Sequence, residues 1–243
     1  DKIKEITEDN LKYPEDINEV YKKLIISPNI CSKELVYSQY DHMVGTNTVV
    51  KPGGDAAALR IKDTKKGIAL AVDCNARFCY LDPYNGPKAA ICESARNVAA
   101  TGARPIAVTD CLNYASPEDE EVYYQFRQSV FGITEACKVL DTPVISGNVS
   151  FYNQSHNHAI YPTPAIGMLG VIDDMDHHTT IDFKDEKNYI ILIGETYGEL
   201  GGSEYMSAIY NDENGKIPEV NSELEKRTID SVLAAIKSDH ILS

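Results

Sequence analysis

The chain has 243 residues, of which 43% are hydrophobic and 25% charged, and its formal net charge is -14 at pH 7. This composition is typical of a globular protein with one large domain or two modest ones. The acidic balance argues against general nucleic-acid binding, which needs a basic surface. No apolar run approaches the roughly 18 residues of a membrane span, and the charged first residues argue against a signal peptide.

The cysteine pattern indicates the compartment. The six cysteines are scattered, without a CxxC pair or the regular spacing of a disulfide framework, and most lie in apolar neighbourhoods. Such residues are typical of buried free thiols in a reducing compartment. The sequence therefore predicts a cytoplasmic protein.

Residues 1–44 predict a helical lead-in. Apolar residues after Pro14 recur at three- and four-residue steps, which is the spacing of one helix face. Pro28 ends this predicted helix, and a second short helix is expected over residues 32–40.

Residues 45–175 predict one domain in which strands and helices follow each other. The expected strands cover 49–50, 56–61, 67–73, 105–109, 143–150 and 165–172. Residues 83–87 read as a loop before a helix over 88–100, and Ser116 and Pro117 begin another helix that runs to Leu140. Because several strands are sequential, the order favours an α+β fold, a mixed sheet with helices on one face, over a doubly wound parallel sheet.

Residues 176–243 predict the start of a second α/β domain, after a polar linker over 173–187. A strand is expected over 188–194, followed by helices over 204–210 and 221–238. So short a segment is too small to form an independent core. This unit is therefore expected either to be truncated or to pack on the first domain.

A strand that ends in small polar residues is the first candidate site. Gly147 allows a phosphate to approach the backbone, Asn148 offers an amide oxygen to Mg²⁺, and Ser146 and Ser150 offer hydroxyl groups. Strand ends of this kind often hold phosphorylated ligands. A strand that simply runs into a turn is the alternative.

Asp73, Glu93 and Asn97 form a second candidate set. Asp73 follows a predicted strand, and Glu93 and Asn97 share one face of the next helix because they are four residues apart. Three oxygen ligands could hold Mg²⁺ together with phosphate oxygens. The alternative is a capped strand end beside a solvated helix face.

Two weaker signals are acidic residues beside turns. Asp110 lies at the carboxyl end of a predicted strand, and Asp55 follows Gly53 and Gly54. Either carboxylate could reach a metal or a nucleotide, and either could simply form a turn. The histidine pairs at 156 and 158 and at 177 and 178 lack the spacing of a zinc site.

Several motifs occur together in a fixed order, and the set resembles a known family. The chain is similar over roughly residues 45–205 to the synthetase subunit of phosphoribosylformylglycinamidine synthase. The motifs are Gly53 to Ala57, Asp73 to Asn75, Tyr80 to Tyr84, Glu93 to Asn97, Thr109 to Asn113, Pro143 to Ser150 and Tyr161 to Pro164.

The resemblance implies a fold like the N-terminal domain of aminoimidazole ribonucleotide synthetase and an ATP-dependent amidation in purine biosynthesis. Phosphate from ATP would activate the formyl-amide oxygen of formylglycinamide ribonucleotide, and ammonia would then displace that phosphate. The implied cofactors are ATP and Mg²⁺. The implied partners are a glutaminase subunit that supplies ammonia and a small accessory subunit.

The resemblance also implies roles for particular residues. Asp110 and Gly147 would contact ATP, Asn148 would bind Mg²⁺, and Ser150 would contact the ribonucleotide. In larger members of the family, an auxiliary nucleotide site uses residues that match Asp73, Glu93 and Asn97.

The family subunit has two similar halves, and this chain resembles the start of the second. The catalytic histidine belongs to the first half, so we expect no catalytic residue in this chain and only half of a composite site. Paired ATP-binding domains contact each other through their sheets in the family. An isolated domain is therefore expected to form a dimer through that apolar surface.

Other readings remain open at this point. The same superfamily includes aminoimidazole ribonucleotide synthetase, thiamine phosphate kinase and selenophosphate synthetase. A nucleotide-binding structural module without chemistry of its own is an alternative from a different class.

Overall fold

A computed structural model describes residue 6, residues 11–156 and residues 158–243. The parts of the helical lead-in that were expected over residues 1–5 and 7–10 lie outside the described residues. The first described helix, α1 (Ile17–Ile25), confirms the predicted periodicity. It begins after Asp16, whose carboxylate accepts hydrogen bonds from the backbone N–H groups of Asn18 and Glu19. The second helix, α2 (Glu34–Tyr37), is shorter than expected.

The centre of the molecule is a six-stranded mixed sheet. Its strands are β1 (Thr48–Val50), β2 (Ala57–Arg60), β3 (Gly67–Asp73), β4 (Arg104–Asn113), β5 (Val144–Ser150) and β8 (Thr163–Ile172). They lie in the order β1-β2-β3-β8-β4-β5, and β4 with β5 is the parallel pair among antiparallel neighbours. A two-stranded hairpin, which the sequence did not predict, is formed by β6 (Gln154–Ser155) and β7 (His158–Ala159).

Helices cover one face of this sheet. They are α3 (Ala76–Leu81), α4 (Asn85–Ala100) and α5 (Glu120–Leu140), and α4 packs on β3, β8 and β4 while α5 packs on α4. Small residues allow α4 to lie close to the strands: a Cβ at Gly170 would be 2.2 Å from Cγ1 of Val98. The predicted α+β architecture with helices on one face is therefore confirmed.

These three helices differ from the sequence expectation. Helix α5 begins at Glu120, after the capping residue Asp119, and not at the expected Ser116 and Pro117.

The other two differences concern α4 and α3. Helix α4 begins at Asn85, inside the predicted loop, because Pro87 falls in the first turn, where proline costs no hydrogen bond. Helix α3 was not predicted. Asn75 caps it by accepting a hydrogen bond from the N–H of Phe78 at 3.1 Å.

The C-terminal part contains the two predicted helices, α6 (Glu204–Tyr210) and α7 (Ser222–Lys237). Helix α7 packs on α4 and α5. The prediction of a strand over 188–194 is wrong: this segment forms no strand, and Ile190 to Ile193 are exposed. A strand exists only when a neighbour pairs with its backbone, and no described strand pairs with this segment.

Among the helices that the structure describes, none is long and apolar enough to cross a membrane.

Candidate functional site

One row of residues crosses the covered face of the sheet and joins two of the predicted site elements. Asp73 of β3 pairs with Ile166 of β8, Ile166 also pairs with Asp110 of β4, and Asp110 pairs with Gly147 of β5. Ile166 is fully buried, so this row faces the helices. Asp73 and Asp110 are two strands apart, or roughly 10 Å between their backbones. The fold thus places two carboxylates from separate motifs on the same face.

The carboxylate of Asp110 lies over the backbone of Gly147. A Cβ at Gly147 would be 2.1 Å from Oδ1 of Asp110 and 2.9 Å from its backbone oxygen, which no side chain tolerates. Glycine is therefore required here for space. Burial raises the pKa of Asp110 above its ordinary value, because a partly dry environment disfavours the charged form.

The second predicted set is also brought together. Nδ2 of Asn97 donates hydrogen bonds to both carboxylate oxygens of Asp73, at 3.1 and 3.2 Å. Burial raises the pKa of Asp73, against the opposing effects of Asn97 and of the nearby Arg96 charge. Burial, and then the carboxylate of Asp73, raises the pKa of Glu93. The three side chains therefore form one acidic cluster, in which Asp73 and Asn97 are half-buried and Glu93 lies at the exposed edge.

Asn148 and Ser150 lie on the opposite, open face of the sheet. Their register partners on β4 are Cys111 and Asn113, which alternate with Asp110 along the strand. Asn148 is exposed, and the hydroxyl of Ser150 accepts a hydrogen bond from Nδ2 of Asn153 at 3.1 Å. The motif over 147–150 is therefore divided between two faces of one strand.

No acidic cluster accompanies Asn148. Within the described residues, no group of three or more histidine, cysteine, aspartate or glutamate side chains could hold a metal ion. Asn148 therefore fits a magnesium ion only as a single amide ligand, with phosphate oxygens and water completing the coordination. The separate cluster of Asp73, Glu93 and Asn97 offers a cation two carboxylates. Rotating the Asn97 amide by 180° would add its oxygen as a third ligand.

The glycine pair at 53 and 54 lies elsewhere. It precedes β2, and β3 and β8 separate β2 from β4 in the sheet. Burial raises the pKa of Asp55. The structure therefore does not join this motif to the Asp110 row by strand pairing.

Sequence reasoning missed Arg77, which ties the C-terminal segment to the sheet domain. Its guanidinium donates to the carbonyl of Gly202 at 3.1 Å and to the carboxylates of Glu204 at 3.4 Å and Glu213 at 3.0 Å. The hydroxyl of Tyr161, which precedes β8, donates to Glu213 at 3.0 Å. The only sequence signal for this network was the Asn75 cap, which would have placed Arg77 in the first turn of α3.

Comparison with known proteins shows which protein family this chain resembles. Residues 53–172 match the family described as AIR synthase related protein, N-terminal domain. Over these residues the chain belongs to this family. Among curated relatives, it is 55% identical over 235 residues to the phosphoribosylformylglycinamidine synthase subunit PurL of Alkaliphilus metalliredigens, and this match covers 97% of the chain and 32% of the relative. The chain therefore spans about a third of the length of the curated relatives it matches.

Solved structures agree with this assignment. The structure of PurLQS from Thermotoga maritima matches with a TM-score of 0.57 at 38% identity, covering 61% of this chain and 25% of that chain. T. maritima PurL complexed with ATP matches with a TM-score of 0.55 at 36% identity, and PurL complexed with FGAR with 0.54 at 38%; each match covers 61% of this chain and 24% of the other.

Proposed function

We propose that this chain is a segment of an ATP-dependent ligase, the synthetase subunit of phosphoribosylformylglycinamidine synthase. The reaction converts formylglycinamide ribonucleotide, ATP and ammonia from glutamine to formylglycinamidine ribonucleotide. Support comes from the PurL relatives, among them the proteins complexed with ATP and with FGAR. The observation that carries the proposal is the Asp110 carboxylate, which lies over Gly147 of the edge strand β5.

In this proposal the two faces of β5 have different roles. Asp110 and the backbone at Gly147 contact ATP on the covered face. Asn148 offers one oxygen ligand to Mg²⁺, and Ser150 contacts the ribonucleotide. Magnesium would neutralise phosphate charge as the phosphoryl group is transferred. The residues of this chain bind and orient the substrates, and the catalytic histidine is proposed to belong to the first half of the subunit.

The acidic cluster of Asp73, Glu93 and Asn97 suits an auxiliary nucleotide and magnesium site. Its support is the half-buried carboxylate of Asp73 beside the carboxylate of Glu93, both with raised pKa values, since two neighbouring carboxylates repel each other without a cation to offset their charge. This observation also favours a second candidate function, in which the segment binds a nucleotide without contributing to chemistry.

Isothermal titration with Mg-ATP separates the two roles. If Asp110, Gly147 and Asn148 form the nucleotide site, Asn148→Ala weakens binding and Glu93→Ala does not. Loss with Glu93→Ala alone supports the non-catalytic module and overturns the catalytic assignment. Asn18→Ala, on the exposed surface of α1, is the matched control and should leave binding unchanged.

The isolated chain is expected to bind nucleotide without turnover, because it represents half of a composite site. The remaining part of the subunit, a glutaminase subunit and a small accessory subunit are the proposed partners in the cytoplasm. In this proposal residues 45–175 form the ATP-binding domain, and residues 176–243 form the start of the C-terminal α/β domain. Ligase activity of the purified chain with ammonia and ATP would contradict the half-site proposal.

Self-pairing through the open face is a further part of this proposal. Leu70 and Val72 on β3 leave 44% and 76% of their surface exposed there. Exposed apolar area of this kind favours association. Val72→Lys should shift the chain from dimer to monomer in light scattering, whereas Val130→Lys on the surface of α5 should not. A monomeric wild-type chain at micromolar concentration contradicts it.

A further inference from the structure

Cys74 and Cys79 form a thiol pair at the beginning of α3. Since Asn75 is the cap of this helix, Cys74 occupies the position before the cap and Cys79 the fourth helical position. These are the two positions whose side chains meet across a helix start. The side chains of Cys74 and Cys79 therefore lie next to each other at the start of α3. The positions usually filled by an apolar contact are thus occupied by two oxidisable groups.

The two thiols have different environments. Cys74 is partly exposed, whereas Cys79 is fully buried. Cys74 is therefore the thiol that an oxidant in solution meets first, and the buried Cys79 reacts afterwards.

We propose that Cys74 and Cys79 form a reversible intrachain disulfide when the protein meets a hydroperoxide. The Cys74 thiolate attacks the peroxide, so that an S–O bond forms, the O–O bond breaks and an alcohol or water leaves. The sulfur of Cys79, after losing its proton, then attacks the sulfenic acid. The S–S bond forms, the S–O bond breaks, and water leaves with that proton. Two electrons pass from the two thiols to one peroxide.

The surroundings determine which cysteine moves. The sulfurs must approach to about 2 Å. The backbone of Cys79 is fixed against the start of α4, because a Cβ at Gly86 would be 2.5 Å from the Cys79 nitrogen. Cys74 lies in the short connection between β3 and α3, and it directly follows Asp73. Closing the disulfide therefore acts on the connection that holds the acidic cluster.

Trypsin provides a direct test. Cleavage after Lys66, Arg77 and Lys88 places Cys74 in the peptide 67–77 and Cys79 in the peptide 78–88. The protein is treated with hydrogen peroxide, its free thiols are alkylated, and the digest is analysed by mass spectrometry. We expect a disulfide-linked species of the two peptides, which dithiothreitol converts back to two alkylated peptides. These peptides are the same in the chain and in any longer protein that contains it.

Three variants make the result specific. Cys74→Ser should abolish the linked species, whereas Cys111→Ser, another partly exposed cysteine, should leave it unchanged. Cys79→Ser should leave Cys74 as a sulfenic acid, which dimedone labels. The proposal is overturned if Cys74 is oxidised to sulfinic or sulfonic acid without a linked species. It is also overturned if mixing labelled and unlabelled protein shows that the link joins two chains.

Discussion

The two faces of the sheet differ in how they treat polar groups. The covered face carries Asp73 and Asp110 in one row, partly dry and with raised pKa values. The open face carries Asn148 and Ser150, which are neutral groups on β5, and exposed apolar side chains such as Val72 on β3. The difference between the faces shows that the short motif over 147–150 contributes residues to both sides of the sheet, because successive residues of a strand point to opposite sides.

The strongest test of the covered face is Gly147→Ala. Its Cβ would meet the Asp110 carboxylate at 2.1 Å and, even if that carboxylate rotated away, the Asp110 carbonyl at 2.9 Å. We expect a loss of about 1–3 kcal/mol in the free energy of unfolding and loss of Mg-ATP binding. Denaturant titration and calorimetry measure the two effects.

Gly54→Ala is the matched control for this change. The nearest atom to its Cβ would be Cγ1 of Val50 at 3.4 Å, which is an ordinary contact. Equal effects of the two substitutions would mean that the contact with Asp110 is unimportant.

The next largest effect is expected at Arg77, outside both faces. Arg77→Met removes the charged hydrogen bonds to Glu204 and Glu213, and the side chain is only 14% exposed. We expect a destabilisation of about 2 kcal/mol and faster hydrogen exchange in α6, measured by mass spectrometry. Lys22→Met breaks the exposed pair with Glu19 and should cost less than about 1 kcal/mol. An unchanged rate of hydrogen exchange in α6 would show that Arg77 does not hold this helix against the sheet domain.

The smallest effect is expected at Glu93 and depends on pH. Because burial raises its pKa above the ordinary 4.5, the folded chain holds this proton more tightly than the unfolded chain. Stability therefore decreases as the pH rises from 4.5 through the raised pKa. Glu93→Gln should be more stable than the wild type at pH 7, by up to about 1 kcal/mol after allowance for solvent, and the difference should shrink below pH 4.5.

Urea titrations at several pH values measure this dependence. Glu118→Gln, at an exposed position, should show no such trend. A constant difference between Glu93→Gln and the wild type across the pH range would mean that the carboxylate carries no desolvation cost.

The sequence by itself determined the α+β architecture, most of the strands and the identity of the polar motifs. Strand alternation, helix periodicity and caps such as Asp16 depend only on residues that are close in the sequence. The sequence is therefore sufficient to predict them. The strand over 188–194 failed because its apolar pattern is local, whereas strand formation needs a partner. Helix α3 was missed because its cap, Asn75, lies in a short segment without helical periodicity.

Only the tertiary structure decided which motifs share a site. Asp73 and Asp110 are separated by 36 positions in the sequence, and their common row exists because β8 inserts between β3 and β4. The position of the Asp110 carboxylate over Gly147 and the hydrogen bond from Arg77 to Glu204 of α6 likewise depend on long-range packing. Register and burial are properties of the assembled sheet, which explains why the sequence could supply the residues but not their arrangement.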